Sequence, residues 1–346
     1  MADYKFAKDK LAGVLAGLKE YKVFAPTVTG DVVRFKEVDD PAAVTLDYEN
    51  SNVPPKELMF PETETLFKFR LGQADIEPEV PAEDARRLVF GIRPCDSQAY
   101  SIVDRLYEWD FNDPYFVNRL RSTVLVGLAC SDPCANCFCP SLGGGPANEE
   151  HLDAIMYDLG ETYYLKTLNE KGDEVAKALG DVLEPAGADE AAAAGKQAEE
   201  ALARIKRSID TEGIPEHLPA LYDHPFLEQF SDRCLGCGIC TFLCPTCHCF
   251  DIQDEIEVFD GRRARMWDTC MFAEYKLHTS GHNPRPTRKE RTRNRISHKY
   301  SYFPEKFDVI ACVGCGRCIN YCPVNIDLLD ILEKSKQAES KEAETA

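Results

Sequence analysis

Leu11, Val14, Leu15 and Leu18 recur at helical spacing, so residues 5–20 read as one amphipathic helix. Residues 21–28 and 31–38 then read as two strands joined by a hairpin turn at Thr29-Gly30, and Pro54, Pro55 and Pro61 mark a loop. Continuous apolar runs at 88–92 and 124–128 read as short buried strands. Between them Ile102, Val103, Leu106 and Tyr107 fall on one side of a helix for which Asp96 is the expected N-cap. Strand, helix and strand of these lengths predict a right-handed crossover between parallel strands. Residues 154–168 read as a hairpin around Leu159-Gly160-Glu161. The Ala- and Glu-rich stretch 189–209, with only Leu202, Ile205 and Ile209 as large apolar anchors, reads as a mostly solvated helix or one docked on a partner. Gly213, Pro215, Pro219 and Pro225 punctuate a connector, and the polar end from residue 333 is expected to fray.

With 346 residues the chain has room for two domains, and the connector places their boundary near residue 222. The N-terminal part, 1–222, is expected to be α/β (α+β) with a short parallel-strand unit. The second domain spans 223–334 and a polar tail 335–346. A net charge of −19 argues against general nucleic-acid binding and for discrimination among partner proteins. No apolar run is long enough to predict a membrane span. The opening residues show no apolar signal segment, and 16 cysteines kept as thiols point to a cytoplasmic protein from an organism that tolerates oxygen poorly.

The cysteines change the picture most. Cys234, Cys237, Cys240 and Cys244, followed by Pro245, form a C-x2-C-x2-C-x3-C-P run, and Cys312, Cys315, Cys318 and Cys322, followed by Pro323, repeat it. Three thiolates at this spacing wrap one iron-sulfur cube, and the fourth reaches the other cube, so the two runs predict two [4Fe-4S] clusters. Proline after the fourth cysteine fixes φ where the chain turns away. Structural zinc is the competing reading, but zinc closes with two ligands from each knuckle, whereas each run here has four. A zinc-stabilised scaffold would be colourless. A disulfide framework fits a short secreted chain better than this one.

Both predicted parallel strands deliver a cysteine at their carboxyl ends, Cys95 and Cys130, where ligands of open α/β sheets sit. Cys134, Cys137 and Cys139 follow at once, before the glycine-rich turn Gly143 to Pro146. Five thiols for a group that needs four predict a third [4Fe-4S] cluster, with zinc or a set of small buried thiols as the competing readings. Cys247, Cys249 and Cys270 are further candidates, either for metal or for packing near clusters without ligating; His248, His278 and His282 read as structural hydrogen-bonding residues. Arg285, Arg288, Lys289, Arg291, Arg293, Arg295 and Lys299 form a basic run, read as a docking surface for an acidic partner or as charges that stabilise reduced clusters. No flavin or nucleotide fingerprint is visible, so other chains must supply and take the electrons.

Taken together, Arg93-Pro94-Cys95-Asp96, Asn136-Cys137-Phe138-Cys139, Cys244-Pro245-Thr246-Cys247-His248-Cys249-Phe250-Asp251, Trp267-Asp268-Thr269-Cys270 and Gly281-His282-Asn283 resemble the beta-subunit family of cytoplasmic sulfhydrogenases. That family includes the A subunit of anaerobic sulfite reductase and the iron-sulfur subunit of flavin oxidoreductases coupled to heterodisulfide reductase. The family pattern has glycine where this chain has Cys134, which implies Cys95, Cys130, Cys137 and Cys139 as the N-terminal ligands. The resemblance also implies a mainly helical two-cluster ferredoxin domain. As partners it implies a flavin subunit handling NAD(P)H and a heterodisulfide reductase-like, hydrogenase or sulfite reductase module. The chain would then be a non-catalytic electron-transfer subunit. The alternative is that the N-terminal cluster itself reduces a small sulfur substrate, with Cys134 free to act.

Overall fold

The computed structural model describes residues 2–345, with side chains through 338. In chain order the strands are β1 (Asp3–Ala7), β2 (Lys22–Thr29), β3 (Val32–Glu37), β4 (Thr63–Arg70), β5 (Ile76–Pro78), β6 (Arg87–Ile92), β7 (Thr123–Leu128), β8 (Ala154–Asp158), β9 (Thr162–Thr167), β10 (Glu184–Pro185), β11 (Phe250–Glu257) and β12 (Asp260–Trp267). Eight of them form one sheet in the order β10-β1-β9-β8-β7-β6-β2-β3. Its centre, β2, β6, β7 and β8, is parallel, and antiparallel strands flank it on both sides. The parallel unit expected from the two apolar runs is therefore present. All of β7, and all of β6 beyond Arg87, is buried, as strands covered on both faces must be.

The helix after β6 begins earlier than its sequence suggests. Arg93 is its N-cap, Pro94 occupies the first turn, and the helix runs Pro94–Tyr107. Proline at the first helical position has the required φ and no N–H to leave unpaired. Asp96 is thereby moved inside the helix and freed from capping, and its carboxylate turns into the core. The predicted helix over 5–20 is likewise corrected. Tyr4 and Phe6 alternate into β1, which pairs with β9, and only Leu11–Gly17 is α-helical. The alanine-rich helix, Ala188–Arg204, lies on the sheet with Ala194 and Ala201 buried.

A second sheet, β11-β12-β4-β5, is antiparallel throughout. It pairs residues 63–78 with 250–267 and so crosses the expected boundary near residue 222. Its charged seam is buried: Arg265 Nη2 lies 2.6 Å from Glu64 Oε2, and Glu64 also binds Arg119. The region 223–334 accordingly holds short helices and a long hairpin. The hairpin is held by antiparallel pairing of β11 with β12 and of β12 with β4, since Asp254 interrupts the apolar positions Phe250, Ile252 and Ile256 and every residue of β11 is exposed. The last helix, Leu328–Thr345, continues through the stretch read as a tail, burying Ser335 and Ala338. No helix among the described residues is long and apolar enough to cross a membrane.

Candidate iron-sulfur centres

Each cysteine run folds in the same way. Gly238 and Gly316, at φ +75° and +76°, stand as left-handed N-caps before the one-turn helices Ile239–Phe242 and Arg317–Asn320. Glycine takes this conformation at little cost. The turns place Cys234, Cys237 and Cys240 around one cavity together with Cys322. Cys312, Cys315 and Cys318 surround another together with Cys244. The fourth cysteine of each run has thus crossed to the other run's cavity. The first, outer cavity reaches the surface, with Cys237 exposed and Leu235 62% exposed beside it. The second, inner cavity is closed by Phe138, Val313 and Leu328.

A third cavity is lined by Cys95, Cys130, Cys134, Cys137 and Cys139, and Cys315 of the inner cavity also forms part of its wall. Cys130 follows the end of β7 by two residues, whereas Cys95 stands in the first turn of the helix that follows β6. The junction is close: the Phe138 N–H donates to Gly314 O at 2.8 Å. A Cβ on Gly314 would stand 2.6 Å from the Cys139 nitrogen, and one on Gly316 2.7 Å from the Asn136 carbonyl carbon. The two loops can meet only because both positions lack a side chain. Arg317, the residue after Gly316, forms a two-pronged ion pair with Asp96 at 2.6 and 2.7 Å, and its Nε donates to Ser51 O.

Buried cations surround these cavities. Lys56, Arg93, Arg295 and Lys299 are each less than a tenth exposed, and among the described residues none has a carboxylate at ion-pair distance. Arg93 donates to Leu128 O and Ala129 O, while its Nε finds no partner; the Nε of Arg295 is orphaned as well. Lys299 Nζ lies 3.2 Å from Cys244 Sγ, 2.9 Å from Thr246 Oγ1 and 2.8 Å from Ala311 O. Burial works against its charge, but the sulfurs of Cys244, Cys247 and Cys312 outweigh it and hold its pKa above the ordinary lysine value. Burial pushes the Cys315 and Cys318 thiols up to about 12, with Arg317 and Arg295 respectively opposing it. Buried cations without carboxylates and thiols arranged around cavities are a donor set made for an anionic iron-sulfur group. Among the described residues no three His, Cys, Asp or Glu side chains converge closely enough to hold a single metal ion.

The basic run divides accordingly. Arg291, Arg295 and Lys299 are buried, so the stretch does not form one continuous exposed docking surface; Arg295 and Lys299 lie beside the cysteines, while Arg291 donates to Arg285 O and Pro286 O. A π-turn at His298–Tyr302 carries Lys299 and Tyr300 inward. Lys56 was not singled out by sequence reasoning. It donates to Thr241 O and Cys247 O and lies 4.1 Å from the Trp267 ring centre. Cys247 sits against Cys244, while Cys249, Cys270 and Tyr275 form a separate group in which the Cys270 hydrogen bond holds the Cys249 pKa down to about 6. His248 Nδ1 donates to Thr246 O and the ring meets His298 edge-on. His278 and His282 pair at the surface.

The two runs with their crossed fourth cysteines define a ferredoxin-type module, and the 4Fe-4S dicluster domain family matches residues 233–326. The module accounts for two [4Fe-4S] clusters. Over 323 residues the chain is 31% identical to the protein called Sulfhydrogenase 2 subunit beta of Pyrococcus furiosus, covering 92% of this chain and 94% of that protein. The chain belongs to the sulfhydrogenase beta-subunit family, an iron-sulfur electron-transfer family of the oxidoreductase class.

Proposed function

We propose that the chain is the non-catalytic relay subunit of a cytoplasmic oxidoreductase complex. It would stand between a flavin subunit that handles NAD(P)H and a terminal module of hydrogenase, sulfite reductase or heterodisulfide reductase type. The observation that carries this reading is the shared walls: Cys315 lines both the N-terminal and inner cavities, and Cys318 lies on both the inner and outer ones. Three adjoining sites in a row suit a relay, whereas a catalytic chain needs a place for substrate. Bound there, [4Fe-4S] clusters supply reversible one-electron storage.

In this reading Cys234, Cys237, Cys240 and Cys322 hold the outer cluster, and Cys244, Cys312, Cys315 and Cys318 the inner one. Cys95, Cys130, Cys137 and Cys139 hold the third, with Cys134 spare. Cys247, Cys249 and Cys270 pack beside them without ligating. Phe138, Val313 and Leu328 keep water from the inner site, and the exposed Cys237 loop offers the outer site to a partner. The cavity next to the N-terminal thiols sets four carboxylates, Asp47, Glu49, Asp132 and Asp158, against one buried cation, Arg93, a poor surface for sulfite or polysulfide anions. That weighs against direct sulfur reduction. Iron and acid-labile sulfide on anaerobically purified protein test the reading: about twelve irons per chain are expected for three cubanes. About eight would remove the third site, and turnover of sulfite or polysulfide by the isolated chain would overturn the relay.

A further inference from the structure

The inner and outer sites come from matching motifs, yet their sulfurs are contacted differently. In the outer site backbone groups do this work: Gly236 N–H lies 3.4 Å from Cys234 Sγ and Ile326 N–H 3.2 Å from Cys322 Sγ. In the inner site a full positive charge replaces them. Lys299 is 2% exposed, and its ammonium donates to Cys244 Sγ. Among the described residues it is the one side-chain cation hydrogen-bonded to a cysteine sulfur. Its other two acceptors, Thr246 Oγ1 and Ala311 O, are neutral, so Cys244 supplies the opposing charge.

The placement is built rather than incidental. The π-turn widens the helix at His298–Tyr302, a feature that recurs at functional positions. Thr246 donates to Ala311 O at 2.7 Å and so ties the loop after Cys244 to the strand of chain entering the second run, with Lys299 bridging both. The ammonium therefore cannot leave Cys244 without breaking two further hydrogen bonds. A fixed cation on a ligand sulfur stabilises the more negative, reduced state, and cluster potentials respond to charge, sulfur hydrogen bonds and exposure. Arg295 lines both cavities and donates to the Cys240 carbonyl, so what sets the sites apart is the ammonium bonded to a sulfur, which the outer site, with its exposed cysteine, does not have among the described residues.

We propose that Lys299 is a positioning residue that sets the inner site's reduction potential above that of the outer site, so that an electron rests inside the protein rather than at its surface. The inference rests on the assignment of Cys244 to the inner site. It is tested on the full chain, purified anaerobically with its clusters, by dithionite titration followed by electron paramagnetic resonance; each couple adds one electron. Cys237→Ser, which alters the outer site, tells the two signals apart. Lys299→Gln keeps a hydrogen-bond donor and removes the charge, and it should lower the inner reduction equilibrium constant at least tenfold, a downward shift of 59 mV for one electron. Lys299→Arg should stay within threefold of wild type, and the outer signal should not move in either variant. An unchanged inner midpoint in Lys299→Gln at full iron content overturns the inference, as does an equal fall in Lys299→Arg. If Lys299→Gln loses iron, Lys299→Met and Lys299→Arg decide it: loss of iron in the charged variant as well would show a purely structural residue. Two cluster signals in wild type that ignore Cys237→Ser would instead count against the ligand assignment.

Discussion

Asp96→Ala removes one half of the ion pair that joins the α/β sheet to the second cysteine run. Both side chains of this pair are almost fully buried, and Arg317 reaches Asp96 through two hydrogen bonds of 2.6 and 2.7 Å. The variant leaves a guanidinium in the core with only Ser51 and Asn50 as acceptors. Removing one partner of a buried pair costs about 3–5 kcal/mol. The remaining acceptors argue for the lower end, about 3 kcal/mol, or roughly two orders of magnitude in the folding equilibrium. Urea unfolding of the anaerobic, cluster-loaded chain, followed by the fluorescence of Trp109 and Trp267, measures it. Arg317→Met in the Asp96→Ala background should recover part of the loss, because it removes the stranded charge. A single variant within about 0.5 kcal/mol of wild type, or a double variant as unstable as the sum of the singles, would refute the view that this pair fastens the two parts together.

Gly314→Ala and Gly30→Ala form a matched test, since both glycines have φ near +60° but only Gly314 faces a neighbouring backbone. Gly30→Ala should cost about 1–2 kcal/mol of conformational strain, whereas Gly314→Ala should also lower the iron content by pushing the Cys139 loop away; equal behaviour in urea and iron assays would contradict the close junction. Cys315→Ser should remove about four irons per chain and stop electron throughput, and unchanged iron and throughput would sink its assignment. His298 is held down to about 4 by burial, then by Lys299 and Arg285, so the folded chain binds fewer protons there than the unfolded one. Its stabilising contribution is complete above the ordinary histidine value and is lost as pH falls from there toward about 4, at about 1.4 kcal/mol per unit. His298→Gln should flatten that acid limb in pH-dependent urea midpoints.

Spacing made the ligand candidates legible because cluster ligation demands cysteines at fixed short intervals, and such intervals survive in one dimension. The parallel strands were legible for a similar reason, since a strand buried on both faces must be apolar along its length. What escaped depends on residues far apart in the chain. Asp96 read as a helix cap because its true partner, Arg317, belongs to another motif, and Pro94 had already fixed the helix start. Lys56 carries no local signal at all; only the fold sets it between Trp267 and the Cys247 carbonyl. The basic run was legible as charge but not as direction, because a π-turn that moves Lys299 inward leaves no mark in composition. The hairpin at 250–267 escaped the helical expectation carried by the family resemblance, because its first strand is exposed throughout and is held by pairing to β12 rather than by a buried apolar face.

The distribution of charge links folding to cluster binding. The chain carries −19 overall, so an added cation is most easily accommodated at its acidic surface, yet Lys56, Arg93, Arg295 and Lys299 are buried away from carboxylates. A buried charge without an opposite charge costs several kcal/mol, and four of them could not be offset by apolar burial in a core already divided by cavities. The thiols relieve this only in part: Cys244 is held low beside Cys247 and opposes Lys299, but burial holds Cys95, Cys130, Cys315 and Cys318 toward their neutral forms. Iron binding deprotonates its cysteine ligands and places negative charge where the cations already point. Arg295 and Lys299 therefore favour the loaded ferredoxin module over the empty one, and on the proposed three-cluster reading Arg93, the N-cap after β6, would do the same for the N-terminal site.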